Sequence, residues 1–114
     1  MKKVRPLKSR ILSAIGKVWL YWEGRLEAKK RSKVPQKTGW YKCEECHEER
    51  EKIQIDHIEP VVLPSVGFVD WNVYINSKFV EADKLQALCI DCHKKKTKEE
   101  NKVRRLCKKN KNVV

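Results

Sequence analysis

An α+β fold is the class this chain predicts, on three observations. Two Cys-x2-Cys pairs stand far apart in the sequence, a short alternating apolar segment lies between them, and helical, basic stretches occupy both ends. The pairs are Cys43/Cys46 and Cys89/Cys92. Each Cys-x2-Cys turn presents two thiolates on one side of a tight knuckle, and two knuckles complete the tetrahedral sphere of one Zn²⁺. A closed sphere leaves no coordination position for a substrate, so the expected zinc is structural. Disulfides or simply buried thiols are the alternatives. Identical spacing in both pairs and the lack of a signal-peptide pattern favour the metal. At 114 residues, 37% of them charged, the chain has little apolar surface to bury, which gives a zinc staple an obvious stabilising role.

Roughly the first 30 residues predict one long amphipathic helix. Pro6 suits its first turn, and Leu7, Ile11, Ala14, Ile15, Val18, Trp22 and Leu26 recur at three- and four-residue steps, forming a stripe that must be covered. Packing on the rest of the domain is the expected cover. Trp19, Tyr21 and Trp22 are alternatively placed to stack on bases or to meet a second subunit. Lys17 interrupts the apolar run and no small-residue cleavage site follows, so a signal peptide is not expected. No apolar stretch is long enough to span a membrane. This basic extension covers residues 1–36, and a second unit covers 37–114.

After the Lys33-Val34-Pro35 linker, Trp40-Tyr41-Lys42 reads as a strand running into the first knuckle. Ile53 and Ile55 alternate with polar residues and predict a second strand that delivers Asp56-His57. In an extended strand these two side chains point to opposite faces, whereas in a strand-to-loop turn both can converge on one ligand. Pro60 to Pro64 is a constrained loop. Asp70 then caps a short helix whose Trp71, Tyr74, Ile75 and Phe79 make an apolar stripe, read as core. The second knuckle opens a closing helix from about Cys92 to Lys108, on which Thr97 follows His93 by one turn. Cys107 lies outside both pairs and reads as a free thiol.

Charge is segregated along the chain. Residues 1–42 carry a net +11, residues 43–92 a net −7 and residues 93–114 a net +8, within a total of +12. Basic arms on either side of an acidic, metal-binding middle suit a polyanionic partner, with binding that weakens as salt rises. A protein-interaction zinc finger is disfavoured by the same charge.

At these residues the chain resembles the HNH endonucleases, the zinc-containing branch of the ββα-metal (His-Me finger) nucleases. The matching elements are Cys43-x2-Cys46, the stretch Ile55-Asp56-His57-Ile58-x-Pro60, and Leu85-Gln86-x-Leu88-Cys89-x2-Cys92-His93-x3-Thr97. They span about half of the chain, and the insert from Val61 to Asp83 is similar to that of small phage-encoded members. The family carries Asn directly before the Leu-Gln pair, where this chain has Lys84; Asp83, Asn76 and Asn72 are the candidates to replace it.

The resemblance implies a ββα-metal core and metal-dependent hydrolysis of DNA, most readily double-stranded, to 5′-phosphate and 3′-hydroxyl ends. His57 would be the general base that deprotonates the attacking water. Asp56 and His93 would hold one exchangeable Mg²⁺ or Mn²⁺ against the scissile phosphate, and Thr97, on the face of His93, would hold a metal-bound water. Lys94, Lys95, Lys98, Arg104 and Arg105 face away from the metal and are expected on the DNA backbone, positioning the protein rather than reading sequence. One such centre cuts one strand at a time, so a double-strand break calls for a dimer or two successive events. The expected location is the cytoplasm, that of a bacterial host if the protein is phage-encoded. A rival reading keeps the zinc and the basic arms and drops the chemistry: a non-catalytic four-cysteine module binding DNA or RNA, which has no need of Asp56, His57 or His93.

Overall fold

The computed structural model describes residues 4–111. Among the described residues four α-helices and four short strands make up an α+β arrangement, in the order α1 (Leu7–Trp19), α2 (Glu23–Arg31), β1 (Tyr41–Lys42), β2 (Glu49–Arg50), β3 (Gln54–His57), α3 (Trp71–Lys78), β4 (Leu85–Leu88) and α4 (Ile90–Lys111). A 3-10 turn at Ala82–Lys84 leads into β4.

The single long N-terminal helix expected from periodicity is two helices. Nine residues separate Trp19 from Ala28, which at 100° per residue puts them on opposite sides of one straight helix. Both nevertheless lie in one buried cluster with Leu85, so the chain must turn between them. It does so at Leu20–Trp22, where Trp22 adopts an extended conformation (φ −64°, ψ 133°) and its indole N–H donates to the Val80 carbonyl at 2.7 Å. Gly24 presses against that same carbonyl: a Cβ there would sit 2.3 Å from Val80 O. The expected stripe is only partly covered, since Leu7, Val18 and Leu26 stay exposed while Ile11 and Ile15 are half-buried.

β1 and β2 pair antiparallel and carry the first knuckle between them. β3 and β4 form a second antiparallel pair in the register Gln54↔Leu88, Ile55↔Ala87, Asp56↔Gln86 and His57↔Leu85. β4 connects the two parts of the core. Its Leu85 packs with Trp19 and Ala28, surrounded by Trp22, Ile55, Phe79 and Val80. Its Leu88 packs with Cys43 and Cys89, flanked by Ile53 and Cys92. The N-terminal helices thus share their core with the strands that carry the candidate site. Arg31 fastens this junction, donating to the carbonyls of Ala82 (3.0 Å) and Leu85 (2.9 Å) and to the Glu44 carboxylate (2.8 Å).

The Asp70 cap is present: its carboxylate accepts the Val73 amide at 2.8 Å. Phe68, Trp71 and Tyr74 cluster at centroid distances of 5.1–6.1 Å, with Trp71 edge-on to both partners and the Phe68–Tyr74 pair tilted at 41°. Phe79 leaves the helix end to pack at 5.5 Å from Trp22, whereas Ile75 stays exposed. Among the described residues no helix is long and apolar enough to cross a membrane.

Candidate functional site

The first knuckle follows β1. Cys43 donates its amide to the Glu48 carbonyl (2.9 Å), and His47 returns its own to the Cys43 carbonyl (2.9 Å). The turn closes with His47 at φ 63°, a left-handed conformation that histidine tolerates better than most side chains. The second knuckle forms where β4 runs into α4, and there the Cys92 amide points at Cys89 Sγ at 3.5 Å. The four sulfurs of Cys43, Cys46, Cys89 and Cys92 all lie within 4.8 Å of one another, with Cys46 and Cys89 3.8 Å apart. A zinc–sulfur distance of about 2.3 Å makes the edge of a sulfur tetrahedron about 3.8 Å, so the cluster has the dimensions that zinc requires.

The electrostatics agree. Burial opposes ionisation of Cys43, but hydrogen bonds from the backbone at Cys46, Cys89 and Glu45 outweigh it and bring the thiol down to about 6. Cys92 is pushed up to about 12, chiefly by its hydrogen bond with Cys89 and then by burial. The cluster thus favours ionisation of Cys43 and opposes that of Cys46 and Cys92, and a divalent cation held by the four sulfurs would supply the charge that lets all of them ionise. Cys107 is half-buried on α4, separate from this cluster.

Asp56 on β3 and His93 on the first turns of α4 come together. Asp56 Oδ1 lies 3.7 Å from His93 Nε2, and the Asp56 side chain is 17% exposed. The other oxygen, Oδ2, accepts a hydrogen bond from Gln86 Nε2 at 3.2 Å, across the strand pair. It also accepts a close one from Lys96. Lys96 had no role in the sequence reading. The available signal was its i,i+3 spacing from His93, which sets both on adjoining parts of one helical surface.

His57 does not converge with Asp56 on one ligand from a turn. Both residues are still in β3, and their contacts differ. The His57 ring stacks on Trp19 of α1 at a centroid distance of 4.6 Å and an interplanar angle of 29°. Its Nε2 is 2.7 Å from the Lys78 carbonyl. A carbonyl only accepts, so Nε2 carries the proton, and in the neutral ring Nδ1 keeps the lone pair. Burial lowers the His57 pKa below its ordinary value, with the nearby Lys78 and Lys96 ammonium groups adding to the effect and the Lys78 carbonyl and Asp56 opposing it. An apolar hollow of about 280 Å³ opens beside His57, walled by Pro60, Val61, Leu63, Val69, Val73 and Val80, with Lys84 at its border. Lys84 also anchors the strand end: its carbonyl accepts the Ile58 amide at 3.1 Å.

His93, Thr97, Lys94, Lys98, Asn101, Arg104 and Arg105 line an open hollow of about 600 Å³ along α4. The basic side chains were expected to face away from His93, and four of the five share this hollow with it. Lys95 does not. The aromatic residues for which base stacking or a second subunit was the alternative to core packing divide: Trp19 is buried and Trp22 half-buried in the core, as the packing expectation has it, whereas Tyr21 is 79% exposed. No known family model, curated protein or solved structure matches the chain.

Proposed function

We propose that the chain is a metal-dependent DNA endonuclease of the HNH type, built on a ββα-metal core of β3, β4 and α4 and stapled by a four-cysteine zinc. The observation that carries this reading is the placement of Asp56 and His93, 3.7 Å apart, with His57 the following residue of β3 and its Nε2 held by a backbone carbonyl. Asp56 Oδ1 and His93 Nε2 are one hard and one borderline donor, a pair that suits an exchangeable Mg²⁺ or Mn²⁺ retaining several waters. When bound there, such an ion neutralises charge on the scissile phosphate and the leaving 3′ oxygen.

The protein's own groups supply the rest. With its proton on Nε2 and directed to Lys78 O, His57 offers Nδ1 to take a proton from the attacking water. Trp19 fixes the ring plane, so the base spends little freedom in reaching that geometry. The Lys94, Lys98, Arg104 and Arg105 surface, which opens at His93, grips the phosphate backbone and draws one strand across the site.

One observation favours the rival reading, a zinc module that binds nucleic acid without cutting it. The Lys96 ammonium already neutralises Asp56, so the carboxylate has a partner even with no metal. Supercoiled plasmid incubated with the zinc-loaded protein, with and without Mg²⁺ or Mn²⁺, separates the two. Nicking that needs the added ion and falls roughly 10²-fold or more in His57→Ala, with DNA affinity and zinc content kept, supports the nuclease. Binding without nicking in either ion assigns the protein to the rival class.

A further inference from the structure

Lys96 is the best-satisfied charged side chain in the candidate site. Its ammonium has three hydrogens and no lone pair, and three oxygens surround it: Asp56 Oδ2, the His57 backbone carbonyl, and Glu100 Oε1 at 3.4 Å. The side chain is 24% exposed, too enclosed for the mobile surface ion pair that lysines usually make. Gln86 places a second donor on the same Oδ2. One carboxylate oxygen of Asp56 is therefore committed to two donors, and the other is left towards His93.

We infer that Lys96 is a positioning residue that restricts Asp56 to one-point ligation of a divalent ion through Oδ1 and, through the His57 carbonyl, fixes the peptide that carries the base. The inference rests on the nuclease reading of this site. Two consequences follow from the charge and geometry. A permanent positive charge on the far side of the carboxylate weakens the ion's attraction to Asp56. The restriction also leaves one more position on the ion for water or a phosphate oxygen. Removing the lysine would let Asp56 close on the ion with both oxygens: the ion binds more tightly, and the reaction slows.

The test is a pair of measurements on zinc-loaded wild type, Lys96→Met and Lys96→Arg. Mn²⁺ affinity is read directly from the free-ion electron paramagnetic resonance signal, and single-turnover plasmid nicking is read at saturating Mn²⁺. Lys96→Met is expected to bind Mn²⁺ roughly three- to tenfold more tightly, from the lost repulsion. It is expected to nick roughly 10- to 100-fold more slowly, the usual cost of removing a group that orients a metal ligand. Lys96→Arg keeps the charge, so its Mn²⁺ affinity stays near wild type and part of the rate returns. Should Lys96→Met fail to fold, the arginine variant alone carries the comparison: rate lost with affinity kept supports the inference. Affinity and rate both unchanged overturns it, and so does a parallel fall of both, which marks a residue that merely supports the fold. If wild type binds no Mn²⁺ and does not nick, the nuclease reading itself falls and takes the inference with it.

Discussion

Trp19→Ala is the sharpest test of how the N-terminal helix is joined to the candidate site. Trp19 is 9% exposed and packs on Ala28 and Leu85, with the His57 ring at 4.6 Å and Phe79 at 6.2 Å, edge-on at 75°. Truncating a buried tryptophan to alanine costs about 3–5 kcal/mol, of which each lost aromatic pair accounts for about 0.5–1.5 kcal/mol. The ring sits at the margin of the core, so the lower end applies, about 3 kcal/mol. At about 2.1 cal/mol/K of unfolding entropy per residue, each kcal/mol moves the melting temperature of a chain of this length by about 4 °C, giving a fall of about 12 °C in calorimetry of the zinc-loaded protein. Tyr21→Ala, two residues away and 79% exposed, should change stability by no more than about 0.5 kcal/mol. A Trp19→Ala protein melting within about 3 °C of wild type would refute the docking of α1 on β3 and β4, and with it the account of how the His57 ring is held.

Cys89→Ser removes a buried sulfur from both the metal cluster and the core around Leu88; helical circular dichroism, solubility and zinc content should fall together, and a folded, zinc-free variant would contradict the staple. Burial keeps the folded His57 pKa below the ordinary 6.5, so the neutral base persists as pH falls through 6.5, and the nicking rate at saturating Mn²⁺ should break only below that value; a break at or above it sinks the assignment. The sign for stability is the same: the unfolded chain takes up the proton first, so the His57 contribution is full above 6.5 and is lost as pH falls through the folded value, an effect that His57→Gln should abolish in a pH series of denaturant midpoints. Replacing Lys94, Lys98, Arg104 and Arg105 by Gln should reduce the slope of log affinity against log salt by about 3.6 if each meets one phosphate. Lys95→Gln, outside the hollow, should leave that slope nearly unchanged in the same salt titration.

The parts of this molecule that were legible in the sequence are those with local causes. Two identical cysteine spacings sufficed to bring four sulfurs together. Ile53 and Ile55 announced the strand, Asp70 the short helix and the long basic run the closing one. The break after Trp19 was not legible, because Trp22 and Leu26 continue the apolar stripe at four-residue steps. What interrupts it is distant in sequence: the Val80 carbonyl, taken by the Trp22 indole and closed in by Gly24. Tertiary packing here overrides a helical pattern that is consistent on its own terms. The same holds at the site. Nothing local says that Trp19 stacks on His57, or that Lys96 reaches Asp56 across forty residues. Both contacts depend on which face of α1 and of α4 meets β3, and long-range packing rather than local sequence sets that.

The charge pattern shows how far composition can be carried. Arms of +11 and +8 were expected to supply the phosphate contacts together. Part of the N-terminal excess is instead spent inside the molecule, on the acidic middle block: Arg31 pairs with Glu44 and Lys37 with Glu49. Within that block Arg50 is shared between Glu48 and Asp91. These pairs surround the first knuckle and are substantially exposed, so solvent screening leaves them little weight in stability, but they place the acidic residues against cations rather than against an incoming phosphate. On α4 the situation is the reverse. Lys94, Lys98, Arg104 and Arg105 have no carboxylate within ion-pair distance among the described residues, and Arg104 meets only the neutral Asn101 at 2.6 Å. Four cations without a carboxylate partner therefore line the hollow they share with His93 and Thr97, while Lys8, Arg10, Lys17, Lys29 and Lys30 of the N-terminal helices also lack one among the described residues; under the proposed function, a strand held by the α4 group would pass the Asp56–His93 pair.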